Sequence, residues 1–442
     1  MPPTPRTLRP NRTQVRMVVI DLDGQLDDDH PARVIWSFVE QMDLSSFYED
    51  IAAFEHEGGR PAHDPAVLLS LWLLGTIEGI GSARELARRC ETDLPFRWLC
   101  GDQPPNYHTV SDFRSSNLAQ FETLLARLVA SLAGEGLVSW TSVAQDGTRV
   151  RASAGTSSFR RKARLAHLET EALAKIQHLR EESERDPAAV SRRKARARER
   201  ATRERAERVA AAIAAANQLE LEREAAGTHK SREEKAKMKR KAAKGDVRGS
   251  TTDPEARNMK MADGGIRPAY NVQVATDLDS QVIVQVYVTD AQTDGAQLPV
   301  MLDAIRATHQ RTPRTAVADG GFSTHAAINA VTAQGVEFIC PPRFADEPSR
   351  KPYEPRKGDS AAVRAWRERM DTEAAKTIYR LRCRIEWIFA RFKSWGLRAV
   401  TVRGKQTVQA VATLHAIAHN LLILVRHRAD VVTQAGKLLA QA

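Results

Sequence analysis

The sequence predicts an α/β protein: a mixed sheet with flanking helices, preceded by an all-α region and interrupted by a long helical insertion. Three observations lead there. Residues 31–135 carry helical periodicity and helix-start signals. From about residue 138 the period shortens, and the order becomes strand, insertion, hairpin, helix, strand, helix, strand, helix. Residues 156–250 are rich in Ala, Arg and Glu with few large apolar side chains, so they can build little core of their own.

Residues 1–30 read as an N-terminal extension, basic at first, whose "MVVI" is too short for a secretory apolar region. Asp64-Pro65 opens a helix, the Asp as cap and the Pro in its first turn, and "AVLLSLWLLGTIEG" continues it. The turn "GIG" follows, then "SARELARRC" with Ser82 and Glu85 in capping-box spacing. Helix, glycine turn, basic helix is a shape that enters a DNA groove, and an ordinary helical bundle has the same pattern. "VSWTSVAQDGTRVRAS" reads as a strand carrying Asp146, although Asp-Gly by itself is also a favoured turn pair. Within the insertion, Asp186-Pro187 restarts a helix, "SREE" at 231–234 caps another, and Gly245 ends it. "YNVQVAT" and "QVIVQVYV" joined by "DLDS" form a hairpin. A helix over 296–309 leads to the strand "TAVADGG" with Asp319, which reads alternatively as a loop residue or a helix cap. A helix from Thr324 to about Gly335, the strand "EFICP" and the helix containing Glu386 complete the order.

The 442 residues suffice for about three ordinary domains. Hydrophobic content of 42% and charged content of 27% are those of a soluble globular protein. No stretch reaches membrane-spanning length, the best apolar run being "LLILV" at 421–425. No membrane association and an intracellular location are therefore expected. Cys90, Cys100, Cys340 and Cys383 form no C-x-x-C pair, so neither a disulfide framework nor a zinc site is indicated. Net charge is +11, and residues 156–250, with 26 Lys and Arg against 15 Asp and Glu, hold a surplus equal to the whole of it. A charge run is often only a solvated face; such concentration also suits a polyanionic partner.

The helix "CRIEWIFARFK" keeps one acid, Glu386, among Ile, Trp, Phe and Arg. At about 100° per residue, Tyr379, Arg382, Glu386 and Lys393 share one face, and Ile378, Leu381, Ile385, Ile388, Phe389 and Phe392 the other. Arg382 and Glu386, four apart, suffice as an ordinary surface pair of about 0.2–0.5 kcal/mol.

The spacing Tyr379-x2-Arg382-x3-Glu386-x6-Lys393 resembles the signature of DDE transposases from bacterial insertion sequences. "ADGGF" at 318–322 looks like that family's second-aspartate motif and "QDGTRVRA" at 145–152 like its first. "TDPEARNMK", "GRPAHDPAVLLSLWLLG" and "PNYHTVSDFRSSN" are similar to other segments of the group, so the resemblance covers nearly the whole chain.

The resemblance implies a ribonuclease H-like catalytic domain over 136–155 and 251–425, a helical DNA-binding domain over 31–135, the basic insertion over 156–250 and a tail over 426–442. It implies recognition of terminal inverted repeats, cleavage at element ends and strand transfer into target DNA. Double-stranded DNA is the expected partner, a homodimer in the DNA complex the expected assembly, and the bacterial cytoplasm, at the nucleoid, the expected location.

Asp146, Asp319 and Glu386 are then catalytic and hold a pair of Mg²⁺ or Mn²⁺ ions, hard cations that prefer carboxylate oxygens. Tyr379, Arg382 and Lys393 contact the DNA end. Because 173 residues separate the two aspartates and 67 separate Asp319 from Glu386, only the fold can assemble such a site. A metal-dependent nuclease without strand transfer, and a catalytically inactive DNA-binding protein of transposase descent, are the alternatives.

Overall fold

Val143, Ala144 and Val150 are buried along the strand that carries Asp146, while Asp146, Gly147 and Arg149 between them are only partly covered. This strand, β1 (Ser142–Arg151), is the centre of the sheet in the computed structural model, which describes residues 19–49, 61–185, 192–227 and 247–441, with isolated positions 13, 15 and 51. The other strands are β2 (Phe159–Arg161), β3 (Arg248–Ser250), β4 (Arg257–Lys260), β5 (Ile266–Asp277), β6 (Ile283–Thr289), β7 (Thr315–Val317) and β8 (Glu337–Ile339).

The main sheet runs β6-β5-β1-β7-β8, with β4 also on β5. The β5–β6 hairpin and the β1–β5 pair are antiparallel, whereas β1–β7 and β7–β8 are parallel. Three antiparallel strands followed by two parallel ones is the ribonuclease H-like arrangement. The parallel connections run through the expected helices, Gln297–His309 and His325–Ala333.

The helical front consists of Pro31–Glu40, Ser45–Tyr48, Pro65–Ile77, Ala83–Thr92, Leu94–Leu99, Tyr107–Ser116 and Leu118–Gly134. Its caps are as the sequence suggests: the Asp64 carboxylate accepts from Ala66 N (2.8 Å) and Ser82 Oγ from Glu85 N (3.4 Å). Its core is continuous with that of the sheet, one apolar cluster running from Leu69, Trp72 and Phe121 through Val272 and Val286 to Phe389 and Leu421. The "GIG" turn is seated against the end of the Glu386 helix. Gly79 and Gly396 both have positive φ, and a Cβ on Gly396 would stand 2.9 Å from the Gly79 carbonyl oxygen. Arg114 and Thr401 both donate to the Gly81 carbonyl. On the following basic helix, Glu85 binds Arg88 and Arg89, and Asp93 also binds Arg89. Ile80 of the turn is buried and Gly81 exposed, and two cations of the basic helix are paired with acids of its own segment.

The insertion leaves and returns through the paired strands β2 and β3. Its helices, Lys162–Arg185 and Arg192–Gly227, pack together around a small cluster of Leu165, Ala212, Ala216 and Val247, with Ile213 and Leu219 against it. Gly249 lets them sit down on the stem, because a Cβ there would fall 2.2 Å from the Ala212 carbonyl oxygen. The helix starts expected at Asp186-Pro187 and "SREE", and the stop at Gly245, lie outside the described residues.

One expectation is corrected at the C-terminus. The segment expected as a tail, 426–442, begins inside a helix that runs unbroken over Lys405–Gln441. Its part Lys405–Ala429 is also long and apolar enough to cross a membrane, although most of it is buried within the protein. The expectation failed because interspersed Thr, His, Gln and Asn shorten every apolar run while leaving the mean hydropathy high. Those polar residues have partners here. Gln409 and Asn420 each exchange two hydrogen bonds with the β6 backbone, at Val286 and Val288 and at Ile283, so their amides stand in for a neighbouring strand. Asp253 accepts from Gly404 N and Tyr270 OH, and Glu255 from Lys405 N. The "TDPE" segment thereby caps the helix N-terminus, where carboxylates are favoured.

Candidate active site

Asp146 lies within β1, not in a turn, with Gly147 directly behind it. The β1–β5 register sets Gly147 opposite Gln273. A Cβ on Gly147 would lie 2.2 Å from Gln273 Nε2, 2.7 Å from Asn271 Oδ1 and 2.9 Å from Asp294 Oδ1. These side chains form a network: Gln273 and Asn271 each donate to Asp294 Oδ1 (both 2.7 Å), Gln145 donates to Gln273 (2.8 Å), and Arg149 pairs with Asp294 (3.2 Å). Gly147 is therefore needed for close approach of a side-chain network to the strand.

The parallel β1–β7 register runs Ser142↔Thr315, Val143↔Ala316, Ala144↔Val317. Continued by two residues, the same offset sets Asp319 beside Asp146. Asp319 caps the short 3-10 turn Gly320–Phe322, its carboxylate accepting from Gly321 N (2.7 Å), while Phe322 is fully buried and Cys340 donates to the Asp319 carbonyl (2.9 Å). A Cβ on Gly321 would come within 2.9 Å of the Asp319 Oδ1 it leaves clear.

The helix expected over the Tyr379–Lys393 signature is broken. Glu373–Arg380 is followed by a 3-10 turn, Leu381–Cys383, and then by Arg384–Ser394. The even 100° wheel does not hold across that turn, whose tighter winding displaces residues before it relative to those after it. Ile385, Ile388, Phe389 and Phe392 are buried as the wheel has them, whereas Ile378 and Leu381 are only partly so.

Arg382 lies on the turn and reaches into the sheet. Its Nη1 donates to Asp146 Oδ2 (2.8 Å) and its Nη2 to Glu386 Oε1 (3.2 Å). Side-chain exposure is 16% for Asp146, 15% for Arg382 and 61% for Glu386. The guanidinium also stands 5.9 Å from the Tyr379 ring centroid. Burial pushes the Asp146 carboxyl up to about 6, against the pull of Arg382 and of the Gly147 N–H, and Asp319 pushes in the same direction as burial. Burial works against the Arg382 charge, but Asp146, Tyr379 and Asp319 outweigh it and raise its pKa. Burial likewise raises the Tyr379 phenol, and Arg382 opposes that rise.

Tyr379, Arg382, Asp146, Asp319 and Glu386 are thus neighbours in one electrostatic cluster, while Lys393 is exposed near the far end of the Glu386 helix. The carboxylates do not form a closed cage. Among the described residues no three His, Cys, Asp or Glu side chains are gathered tightly enough to hold a metal ion, and Arg382 lies between two of the three acids. One exposed aromatic escaped the sequence reading: Trp387, next to Glu386, is 66% exposed. Its signal was available, because it falls outside the apolar face to which the other large hydrophobic residues of the helix belong.

A ribonuclease H-like sheet, with Asp146 on its central strand, Asp319 just beyond the neighbouring parallel strand and Glu386 on a helix that contacts β1, is the framework of nuclease and transposase enzymes. Residues 236–421 match the family described as transposase DDE domain, and residues 20–116 match transposase domain (DUF772). The chain belongs to the insertion-sequence DDE transposases. The first match includes Asp319 and Glu386 and begins after Asp146. The place of Asp146 therefore comes from the strand register. No curated protein and no solved structure matches the chain.

Proposed function

We propose that this transposase binds the terminal inverted repeats of its element as a homodimer, cuts DNA at their ends and joins the freed 3′-hydroxyls to target DNA. Asp146, Asp319 and Glu386 carry the chemistry in this reading. The observation that supports it is the joint geometry: a β1–β7 register that, continued by two residues, leads Asp146 toward Asp319, and one guanidinium that binds both Asp146 and Glu386.

The family uses divalent metal, and the donor set suits a hard cation. It consists of carboxylates alone, and the gap between two of them already attracts positive charge in the form of Arg382. Asp146, Asp319 and Glu386 would hold Mg²⁺ or Mn²⁺. Such ions, when bound as a pair, stabilise the attacking and leaving oxygens of an in-line displacement.

The remaining work falls to the chain. The Asp294 network fixes β1 from behind, and the turn at Gly320 aims the Asp319 carboxylate. The planar Arg382 fork suits two phosphate oxygens at once, Lys393 adds a point charge on the Glu386 helix, and the Tyr379 hydroxyl offers one more donor.

The test uses duplexes built from the inverted repeats in the DNA flanking the coding region, with Mg²⁺. Asp146→Asn and Glu386→Gln are expected to bind these ends and to lose both cleavage and strand transfer. Cleavage surviving in both variants refutes the site. Cleavage by the unaltered protein without any strand transfer would identify a nuclease, and binding with neither activity a non-catalytic descendant.

A further inference from the structure

Arg382 has two sets of partners to serve. Its guanidinium closes the space between Asp146 and Glu386 with two charge-assisted hydrogen bonds. Metal coordination requires those same carboxylate oxygens, and DNA-end binding requires the same guanidinium.

We propose that Arg382 is a counter-ion holding the metal-free active site together, and that its transfer to a DNA phosphate opens Asp146 and Glu386 to divalent metal. End binding and metal binding are then linked through one side chain, and an enzyme without its DNA end keeps its acids occupied. This inference rests on the assignment of Asp146, Asp319 and Glu386 as the metal-holding acids.

Three features support the exchange. Arg382 lies on a 3-10 turn between two helices, where a small backbone adjustment redirects a side chain without disturbing either helix. Glu386 is mostly exposed, so releasing it costs little packing. Asp146 is mostly buried, and losing Arg382 with nothing in its place would leave a buried carboxylate beside Asp319, an unfavourable state that a cation relieves.

The test measures Mn²⁺ binding to the full-length protein by titration calorimetry, and the shift in melting temperature that Mn²⁺ produces, without DNA. Arg382→Met keeps the bulk and removes the charge. It is expected to bind Mn²⁺ at least about tenfold more tightly than the unaltered protein, roughly what loss of one charge-assisted competing bond releases. It should also melt at a lower temperature in chelator, and gain more from Mn²⁺ than the unaltered protein does. Arg382→Lys, which keeps the charge but cannot fork across both acids, should fall between them.

Equal or weaker Mn²⁺ binding by Arg382→Met overturns the proposal. Asp146→Asn separates this failure from failure of the site. If Asp146→Asn abolishes Mn²⁺ binding while Arg382→Met leaves it unchanged, the metal site stands and the counter-ion role falls. If Asp146→Asn leaves Mn²⁺ binding intact, the site assignment falls, and the counter-ion role with it.

Discussion

Replacing Gly147 by alanine adds one methyl group at the most crowded point of β1. Its Cβ would fall 2.2 Å from Gln273 Nε2 and under 3 Å from Asn271 Oδ1 and Asp294 Oδ1. Real carbon–nitrogen contacts are more than an ångström longer than the first of these, so the Gln273 amide must leave. Gln273 and Asn271 are fully buried, and withdrawal of the amide breaks its bonds to Asp294 and Asn271 and disturbs the one from Gln145. Overpacking costs about 1–3 kcal/mol, and each buried partner left unsatisfied costs about 1–3 kcal/mol. The reduced freedom of the unfolded chain returns about 0.4–1 kcal/mol. A net loss of roughly 2–5 kcal/mol follows. Urea unfolding followed by far-ultraviolet circular dichroism measures it. The double variant Gly147→Ala/Gln273→Ala restores the space and should lose less stability than the two single variants together, since contacting positions are not additive. A Gly147→Ala protein within about 0.5 kcal/mol of the unaltered one, the range of ordinary surface substitutions, would show that the network does not press on the strand as described.

Two other perturbations test the C-terminal helix and the basic arm. His419 accepts from Arg391 at Nδ1, so Nε2 carries its proton and donates to the Gln281 carbonyl; burial, helped by the charges of Arg391 and Arg426, pushes its pKa down to about 3. The unfolded chain takes up this proton near pH 6.5 and the native state does not, so stability present above that pH should be lost as pH falls toward 3, at about 1.4 kcal/mol per unit. His419→Gln should reduce the slope between pH 6 and 4 by that amount, and an unchanged slope would contradict the buried neutral imidazole. Deleting residues 162–246 beyond the β2–β3 stem should flatten the dependence of DNA affinity on salt, because fewer counterions are released; the same slope with and without the arm would assign it another task, such as pairing of subunits.

The readable parts of this protein were those governed by short-range rules. Caps at Asp64 and Ser82, the β5–β6 hairpin, the helices between the parallel strands and the buried face of Ile385, Ile388, Phe389 and Phe392 all follow from patterns within about a dozen residues. The break at Leu381–Cys383 was not readable, because nothing in "YRLRCRIEW" is a helix breaker and the turn is selected by how Arg382 reaches the sheet. The shared core of the helical front and the sheet was likewise hidden, since periodicity shows that a face is buried but not against what.

By itself the sequence determined which residue types stand where along the chain: the Asp-Gly pairs at Asp146 and Asp319, a Tyr-Arg-Glu-Lys signature and a basic arm with few large apolar residues. Only the tertiary structure decided between strand and turn for Asp146, aligned β1 with the strand that leads to Asp319, pressed the Asn271–Gln273–Asp294 network against Gly147, and set Arg382 between Asp146 and Glu386. The reason is physical. Propensity and capping act over neighbours in sequence, whereas register and charge pairing act over neighbours in space, and Asp146 and Arg382 are 236 residues apart along the chain.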